Sequence, residues 1–142
     1  MREILFRGKT IRTESEWVYG FYNHIPCGRF LCEEHCIQTI KDDGKIGQLY
    51  IVYEGTVGQF IGLTDKNGVK IFEGDIIRAK IEGGNNHNGF TWKNMPVGFQ
   101  EGAFCLNNKN GSVFCVLGAF APSVTLEVIG NIHDNPELLE GS

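Results

Sequence analysis

The sequence lacks any apolar run that reaches the length of about 18 residues needed to span a bilayer, so we expect no membrane-spanning helix. Residues 1–7 contain no apolar core of the kind found in signal peptides, and we therefore expect the chain to stay in the cytoplasm. Excess positive charge is also lacking. The formal net charge of −4 argues against strong non-specific binding to duplex DNA, which needs a cationic field.

Motifs with a known chemical mechanism are missing as well. The sequence contains no Gly-x-Gly-x-x-Gly and no Gly-x-Ser-x-Gly element, and Gly83-Gly84 is not followed by a helical pattern. The five cysteines, an odd number, are typical of reduced thiols in the cytoplasm rather than of a secreted disulfide framework. We therefore predict no cofactor and no catalytic residue, and favour a protein that is not an enzyme.

Two weaker groupings could carry chemistry, but each has a simpler structural interpretation. Cys105 and Cys115 lie among large apolar residues in predicted strands, which favours buried thiols over nucleophiles. A polar group with acid–base potential would form if the central and C-terminal segments met in space. Its members would be Glu73, Asp75, His133 and Asp134. Capping of backbone N–H groups explains such carboxylates equally well.

Glycine, by contrast, is abundant, with 19 residues spread along 142 without a repeat. Glycine favours tight turns, and the many β-branched and aromatic residues between the glycines favour strands. The composition therefore predicts an all-β fold with small, barrel-like sheets. A hydrophobic fraction of 42% and this length predict a single domain, residues 1–142, with its own core.

Turn chemistry predicts about nine strands, arranged largely as hairpins. Asp65-Lys66-Asn67-Gly68 separates two strand-like runs, and its Asn and Gly tolerate the positive φ of a tight hairpin turn. Residues 36–40 also fit a helix by spacing, but a hairpin with residues 48–53 explains both flanks better. We expect residues 83–98 to form the longest loop. The run Asn135-Pro136-Glu137 predicts a short helical turn near the C-terminus.

Three blocks of sequence resemble the YopX family of bacteriophage and prophage proteins. They are Phe6-Arg7-Gly8-Lys9 with Trp17-Val18-Tyr19-Gly20, the run from Thr56 to Ile77, and the run from Val128 to Leu139. The resemblance implies a predominantly β fold, SH3-like in part, and a phage or prophage origin in a bacterial cell. It implies no activity and no catalytic residue. It divides the chain into an N-terminal β segment (1–55), a hairpin and barrel segment (56–139) and a tail (140–142).

Histidine and cysteine are concentrated between residues 24 and 36. Zinc binds thiolates and imidazoles in a tetrahedron. The candidate ligands are Cys27, Cys32, His35 and Cys36. Their spacing differs from the two tight Cys-x2-Cys pairs of a zinc knuckle, and Cys36 would face the core if residues 36–40 form a strand. We therefore predict no metal site and keep these four residues as the candidates.

Two hypotheses for function remain. The first is a phage or prophage accessory protein that binds a protein partner or assembles with itself, and Val97–Phe99 and Ala119–Pro122 are candidate contact surfaces or parts of the core. The second is a β-barrel that binds single-stranded nucleic acid by stacking bases on aromatic side chains beside cations. Its candidate residues are Arg78, Lys80, His87, Phe90, Trp92 and Lys93. The alternative is that Phe90 and Trp92 pack over the barrel end.

Overall fold

The computed structural model describes residues 3–12, 15–27, 32–82, 90–117 and 124–140, with the backbone alone at 25–27, 32–33, 81–82, 90–91 and 124. In this part of the chain there are eleven β-strands and two short 3₁₀ helices. No helix among these residues is long and apolar enough to cross a bilayer. The predicted all-β fold is therefore confirmed.

The strands pair into two antiparallel sheets. They are β1 (Phe6–Lys9), β2 (Trp17–Cys27), β3 (Cys32–Ile40), β4 (Ile46–Val52), β5 (Gly58–Thr64), β6 (Lys70–Phe72), β7 (Asp75–Glu82), β8 (Phe90–Gln100), β9 (Ala103–Asn107), β10 (Val113–Val116) and β11 (Val124–Asn131). The strand orders are β4-β3-β2-β1-β5-β6 and β10-β9-β8-β7-β11. Residue contacts divide the chain into two compact units, Met1–Phe60 and Ile61–Ser142, within β5.

In the first unit the ends of the β1–β4 sheet approach each other. Thr10, directly after β1, forms a β-bridge with Val52 at the end of β4. The backbone N–H of Tyr53 donates to the Lys9 carbonyl at 2.9 Å. The sheet is therefore curled and barrel-like, but isolated contacts rather than a continuous ladder join its ends. One face buries Val18, Ile37 and Val52, with Phe6, Tyr22, Tyr50 and Val57 packed around them.

In the second unit β7 pairs with β8 on one side and with β11 on the other. Side chains alternate along β7, so Ile77 and Ala79 lie on the same face and both are buried. Met95 of β8 lies opposite Ile77 and is buried on this face as well. The buried cluster comprises Ile61, Ile71, Ile77, Ala79, Met95, Val97, Leu106 and Leu126. Arg78 lies between Ile77 and Ala79 in sequence, and its side chain is therefore on the opposite, exposed face.

The predicted hairpin at Asp65–Gly68 is confirmed, and Asp65 holds it in place. Its Oδ1 accepts the backbone N–H groups of Asn67 at 2.8 Å and Val69 at 2.9 Å. Its Oδ2 accepts the N–H of Val128 in β11 at 2.9 Å. Gly68 has a φ of 81°, the left-handed conformation that the turn requires. One carboxylate thus closes the turn and fastens it to a strand 63 residues away.

The predictions for the other segments had mixed outcomes. The predicted hairpin of residues 36–40 with residues 48–53 is confirmed by β3 and β4, and the predicted helical turn is confirmed by the 3₁₀ helix Pro136–Leu139. The long loop is wrong for residues 90–98, which belong to β8, while residues 83–89 lie outside the described part. Pro96 is part of this strand. It lies where the pairing of β8 passes from β7 to β9, so its missing N–H leaves the ladders intact.

Candidate functional site

The strands of the first unit expose a second face, which we call the outer face. It carries Tyr19 and Phe21 on β2, Gln38 on β3, and Leu49 and Ile51 on β4, together with Cys36 of β3, which is itself only 1% exposed. Four of them, Tyr19, Phe21, Leu49 and Ile51, are large, apolar and between 38% and 51% exposed. Soluble proteins rarely leave several such side chains adjacent unless they contact a partner.

Strand register makes the outer face continuous. Phe21 lies opposite Gln38, and Gln38 lies opposite Leu49, so these three side chains form one row across the sheet. Cys36 lies opposite Ile51 in the next row. The Gln38 amide donates to the Gly47 carbonyl at 2.8 Å, which turns its polar end along the sheet. The row therefore presents mainly hydrocarbon to its surroundings.

Charges flank this patch at opposite ends of the strands. Lys9, opposite Trp17 in register, lies on the same face at one end. Glu34 lies on the same face of β3 at the other end, two residues before Cys36. Burial raises the pKa of the Cys36 thiol, and the Glu34 carboxylate raises it further. Both effects disfavour the thiolate form that a nucleophile needs.

Strand β4 is the edge of its sheet order and carries no charge and no proline along Ile46–Val52. The backbone N–H of Ile11 covers its far end by donating to the Ile51 carbonyl at 3.2 Å. Natural edge strands are usually protected by lysine, proline or bulges against pairing with other chains. Ile46, the first residue of β4, is 73% exposed, so this edge strand adds apolar surface beside the outer face.

In the second unit the exposed face of β7 and β8 carries a group that we call the Trp92 platform: Arg78, Lys80 and Trp92. Lys80 lies directly opposite Trp92 in register. The Arg78 Cζ lies 4.3 Å from the centre of the Trp92 ring and the Lys80 Nζ lies 5.8 Å from it. Both distances are in the range of a cation–π contact.

The structure separates the nucleic-acid candidates predicted from the sequence. Arg78, Lys80 and Trp92 lie together, but Lys93 points to the other face. Its Nζ donates to Asn108 Oδ1 at 3.0 Å and lies 5.0 Å from the centre of the Phe114 ring. His87 lies outside the described residues, as does the side chain of Phe90. The predicted set of six therefore contains a described group of three, and Lys93 does not belong to it.

The four zinc candidates fall on two faces of β3 or outside the described side chains. His35 and Cys36 are consecutive residues of β3, so they point to opposite faces. Cys27 and Cys32 are opposite each other in register, but their side chains are not among those described. The described residues contain no group of three or more His, Cys, Asp or Glu side chains suited to holding a metal ion.

His35 is instead part of a hydrogen-bonded stack. Its Nδ1 lies 2.5 Å from the Tyr22 hydroxyl and its Nε2 lies 3.5 Å from the Glu54 carboxylate. The His24 ring stacks on it with centroids 4.3 Å apart. With the tyrosine donating to Nδ1, the ring proton lies on Nε2 and faces Glu54. In this arrangement neither nitrogen offers a lone pair to zinc.

The remaining reactive candidates have structural surroundings. Burial raises the pKa values of Cys105 and Cys115, as expected for buried thiols in strands.

The polar group suggested by the sequence has structural contacts. Asp75 is buried and its carboxylate accepts the Phe72 N–H at 2.8 Å, which closes the turn before β7. The Asn131 Oδ1 accepts hydrogen bonds from the backbone N–H groups of His133 and Asp134. These contacts stabilise turns.

The outer face was not identified from the sequence, although a signal was present. Both Val18-Tyr19-Gly20-Phe21 and Leu49-Tyr50-Ile51-Val52 lack the polar residue at every second position that a half-solvated strand usually has. The predicted contact stretch Val97–Phe99 is divided, because Val97 is buried and Phe99 is 53% exposed. The other predicted stretch, Ala119–Pro122, lies outside the described residues.

Comparison with known proteins identifies the family. The crystal structure of protein EF1440 from Enterococcus faecalis has a similar fold, with a TM-score of 0.52 and 24% identity over 99% of this chain and 100% of that chain. No curated protein matches the sequence. The profile of the YopX protein family matches residues 14–140, nearly the whole chain. The chain therefore belongs to the YopX family.

Proposed function

We propose that this protein is a non-enzymatic accessory protein that works by self-association, with the outer face of the first unit as the contact surface and a second copy of the chain as its occupant. The observation that carries the proposal is that two exposed apolar pairs share one sheet face, Tyr19 and Phe21 on β2 and Leu49 and Ile51 on β4, with β3 between them. Apolar side chains in this arrangement gain free energy when a matching surface removes them from water.

The available area suits a dimer. Ile40, Ile46 and Tyr53, on or beside the same strands, add three more exposed apolar side chains to the four of the outer face. At about 100 Å² each, roughly half of what a large side chain buries in full, seven side chains supply about 700 Å². Specific interfaces typically bury about 800 Å² per partner. An area slightly below this size is typical of weak, reversible association, so we expect a dissociation constant in the micromolar range.

The charges favour a second copy over an unrelated partner. A two-fold axis across the strands would place the Lys9 end of one copy over the Glu34 end of the other, so opposite charges would meet at both ends. Between these ends the outer face carries one further charge, that of Arg7, which lies opposite Tyr19 in register, stacks on Trp17 and is only 6% exposed. Each copy has a net charge of −4, so without the paired ends the copies would repel. The attraction between the Lys9 end and the Glu34 end therefore supports this orientation of the two copies.

The setting proposed for this assembly is the cytoplasm of a bacterium that carries a phage or prophage, as membership of the YopX family suggests. A small phage protein of this kind would act by the assembly that it forms rather than by turnover of a substrate. The lack of a catalytic motif in the sequence and the structural surroundings of the described acidic and thiol groups support a non-enzymatic role.

Sedimentation equilibrium over a micromolar to submillimolar concentration series tests the proposal. The expected result is a reversible shift from the monomer mass of 15.8 kDa to twice that mass, with a midpoint in the micromolar range. Added salt screens both the attraction between the end charges and the repulsion between the net charges, so we expect the midpoint to change little with salt. A monomer at every concentration would overturn the proposal.

A further inference from the structure

We propose that the Trp92 platform is a binding site for single-stranded nucleic acid, with one base stacked on Trp92 and the neighbouring phosphates held by Arg78 and Lys80. This site lies in the second unit and is independent of the outer face. The proposal narrows the six residues suggested by the sequence to three that share one sheet face, and it assigns each of them a role.

The exposed ring of Trp92 provides the stacking surface. The side chain is 39% exposed, and Trp92 pairs only with Lys80 of β7, because β9 joins β8 from Val97 onward. Every base has a π-face, and stacking on an exposed aromatic ring is the main sequence-tolerant contact in proteins that bind single strands. Arg78 and Lys80 hold the ring orientation through their cation–π contacts, so less side-chain freedom is lost when a base binds.

Arg78 provides the phosphate contact. Its guanidinium stacks on Trp92, and none of the carboxylates in the described part of the chain forms an ion pair with it. Glu127 lies opposite Arg78 in register, but its carboxylate forms its ion pair with Lys66, whose Nζ is 3.5 Å from Oε2. Arg78 is exposed and retains its fork of donors for an anion, while its flat face remains on the ring.

The first unit contains the same cross-strand arrangement of an arginine, a lysine and a tryptophan, but its arginine is buried. Arg7 lies over Trp17 at 4.5 Å and Lys9 is 5.8 Å from that ring, with Lys9 opposite Trp17 in register. However, Arg7 is only 6% exposed, whereas Arg78 is exposed. The same arrangement of Arg, Lys and Trp therefore occurs in both units. Only the Arg78 arrangement leaves its guanidinium accessible to a ligand.

The charge balance indicates which kind of nucleic acid fits. A net charge of −4 disfavours duplex DNA, whose dense phosphates need a broad cationic surface. Two cations beside one stacking ring match a short length of single strand, in which an unpaired base can leave its neighbours. With two phosphate contacts on a single strand, log K should fall with log salt at a slope of about −1.4.

Binding of a fluorescein-labelled oligothymidylate to the full-length protein at low salt tests the site, with anisotropy for affinity and tryptophan emission for stacking. The wild type should bind with quenched emission and a slope of about −1.4, and Arg78→Ala should reduce the slope by about 0.7. Trp92→Ala should weaken binding about 5- to 150-fold. Trp92→Phe should keep most of the affinity but lose the quenching, which assigns the signal to Trp92 rather than Trp17.

Two controls keep the test specific. Lys109→Ala removes an exposed cation of the second unit outside the platform, and it should leave the affinity and the slope unchanged. Polyphosphate, a polyanion without bases, should compete poorly. The proposal would be overturned by undetectable oligonucleotide binding at low salt. It would also be overturned if Trp92→Ala, still folded by circular dichroism, bound as tightly as the wild type, or if polyphosphate competed equally well.

Discussion

Replacing Asp65 with alanine should lower the free energy of unfolding by about 3–5 kcal/mol. The substitution removes the acceptor for three backbone N–H groups, those of Asn67, Val69 and Val128. Asp65 is 7% exposed, so water cannot readily replace the carboxylate at the Val128 N–H. Hydrogen bonds to a charged acceptor contribute about 1.5–3 kcal/mol each, although such contributions do not add fully. Chemical denaturation followed by circular dichroism measures the loss.

Two variants distinguish this account from a general effect of mutating a turn. Asp65→Asn keeps one acceptor oxygen, so it should lose the bond to Val128 or weaken the turn, with an intermediate cost. Asp43→Ala removes a single bond, from the Lys45 N–H at 2.9 Å in an exposed turn, and should cost no more than about 1 kcal/mol. Equal losses for Asp65→Ala and Asp43→Ala would contradict the role assigned to Asp65.

The Asp65 contribution should also depend on pH. Burial alone raises the pKa of this carboxyl, but the three backbone N–H groups and Lys66 outweigh it, so the pKa lies below its ordinary value of 3.8. The stabilisation is therefore complete above pH 3.8 and is lost as the pH falls through the lower pKa of the folded state. The difference in stability between wild type and Asp65→Asn should shrink over this acidic interval and stay constant near neutral pH.

Replacing Gly20 with alanine should cost about 3 kcal/mol or more, or prevent folding. A Cβ atom at this position would lie 1.9 Å from the Gln38 carbonyl oxygen and 2.7 Å from its carbon. These are backbone atoms of the neighbouring strand, so no side-chain rotation relieves the overlap, and β2 and β3 must separate locally. Thermal and urea denaturation of the purified variant measure the change.

Gly55→Ala is the matched control for the Gly20 substitution. A Cβ atom at Gly55 would meet nothing within 4 Å, and this residue lies in the 3₁₀ helix Glu54–Thr56. Alanine should therefore be neutral or stabilise the fold by up to about 1 kcal/mol, because it restricts the unfolded chain. If Gly20→Ala unfolded at the same urea concentration as Gly55→Ala, the close approach of β2 and β3 would not hold in solution.

The hairpins could be predicted because their signals are local. At Asp65 to Gly68, a side chain that bonds to the nearby backbone is followed by a glycine at a positive φ, 81° for Gly68. The bond from Asp65 to Val128 could not be predicted in the same way. It joins residues 63 apart, and only the pairing of β7 with β11 brings Val128 to the hairpin.

The candidate sites were predictable only in part, because exposure depends on which sheet face is covered. Tyr19 and Phe21 suit any strand, and their sequence does not say that Val18 is buried on one side while they remain accessible on the other. The error at Lys93 has a simpler origin. Once residues 90–98 are taken as a strand, alternation places Lys93 on the face opposite Trp92.

Sedimentation equilibrium of Phe21→Glu beside Phe99→Glu tests the central claim, self-association through the outer face, most directly. The two phenylalanines are 51% and 53% exposed, so the substitutions are matched in type, charge and exposure. A carboxylate at Phe21 would be desolvated in the middle of the interface and should weaken the dimer about 100-fold, while Phe99→Glu should leave it unchanged. Equal dimerisation of both variants, or equal loss in both, would contradict the account.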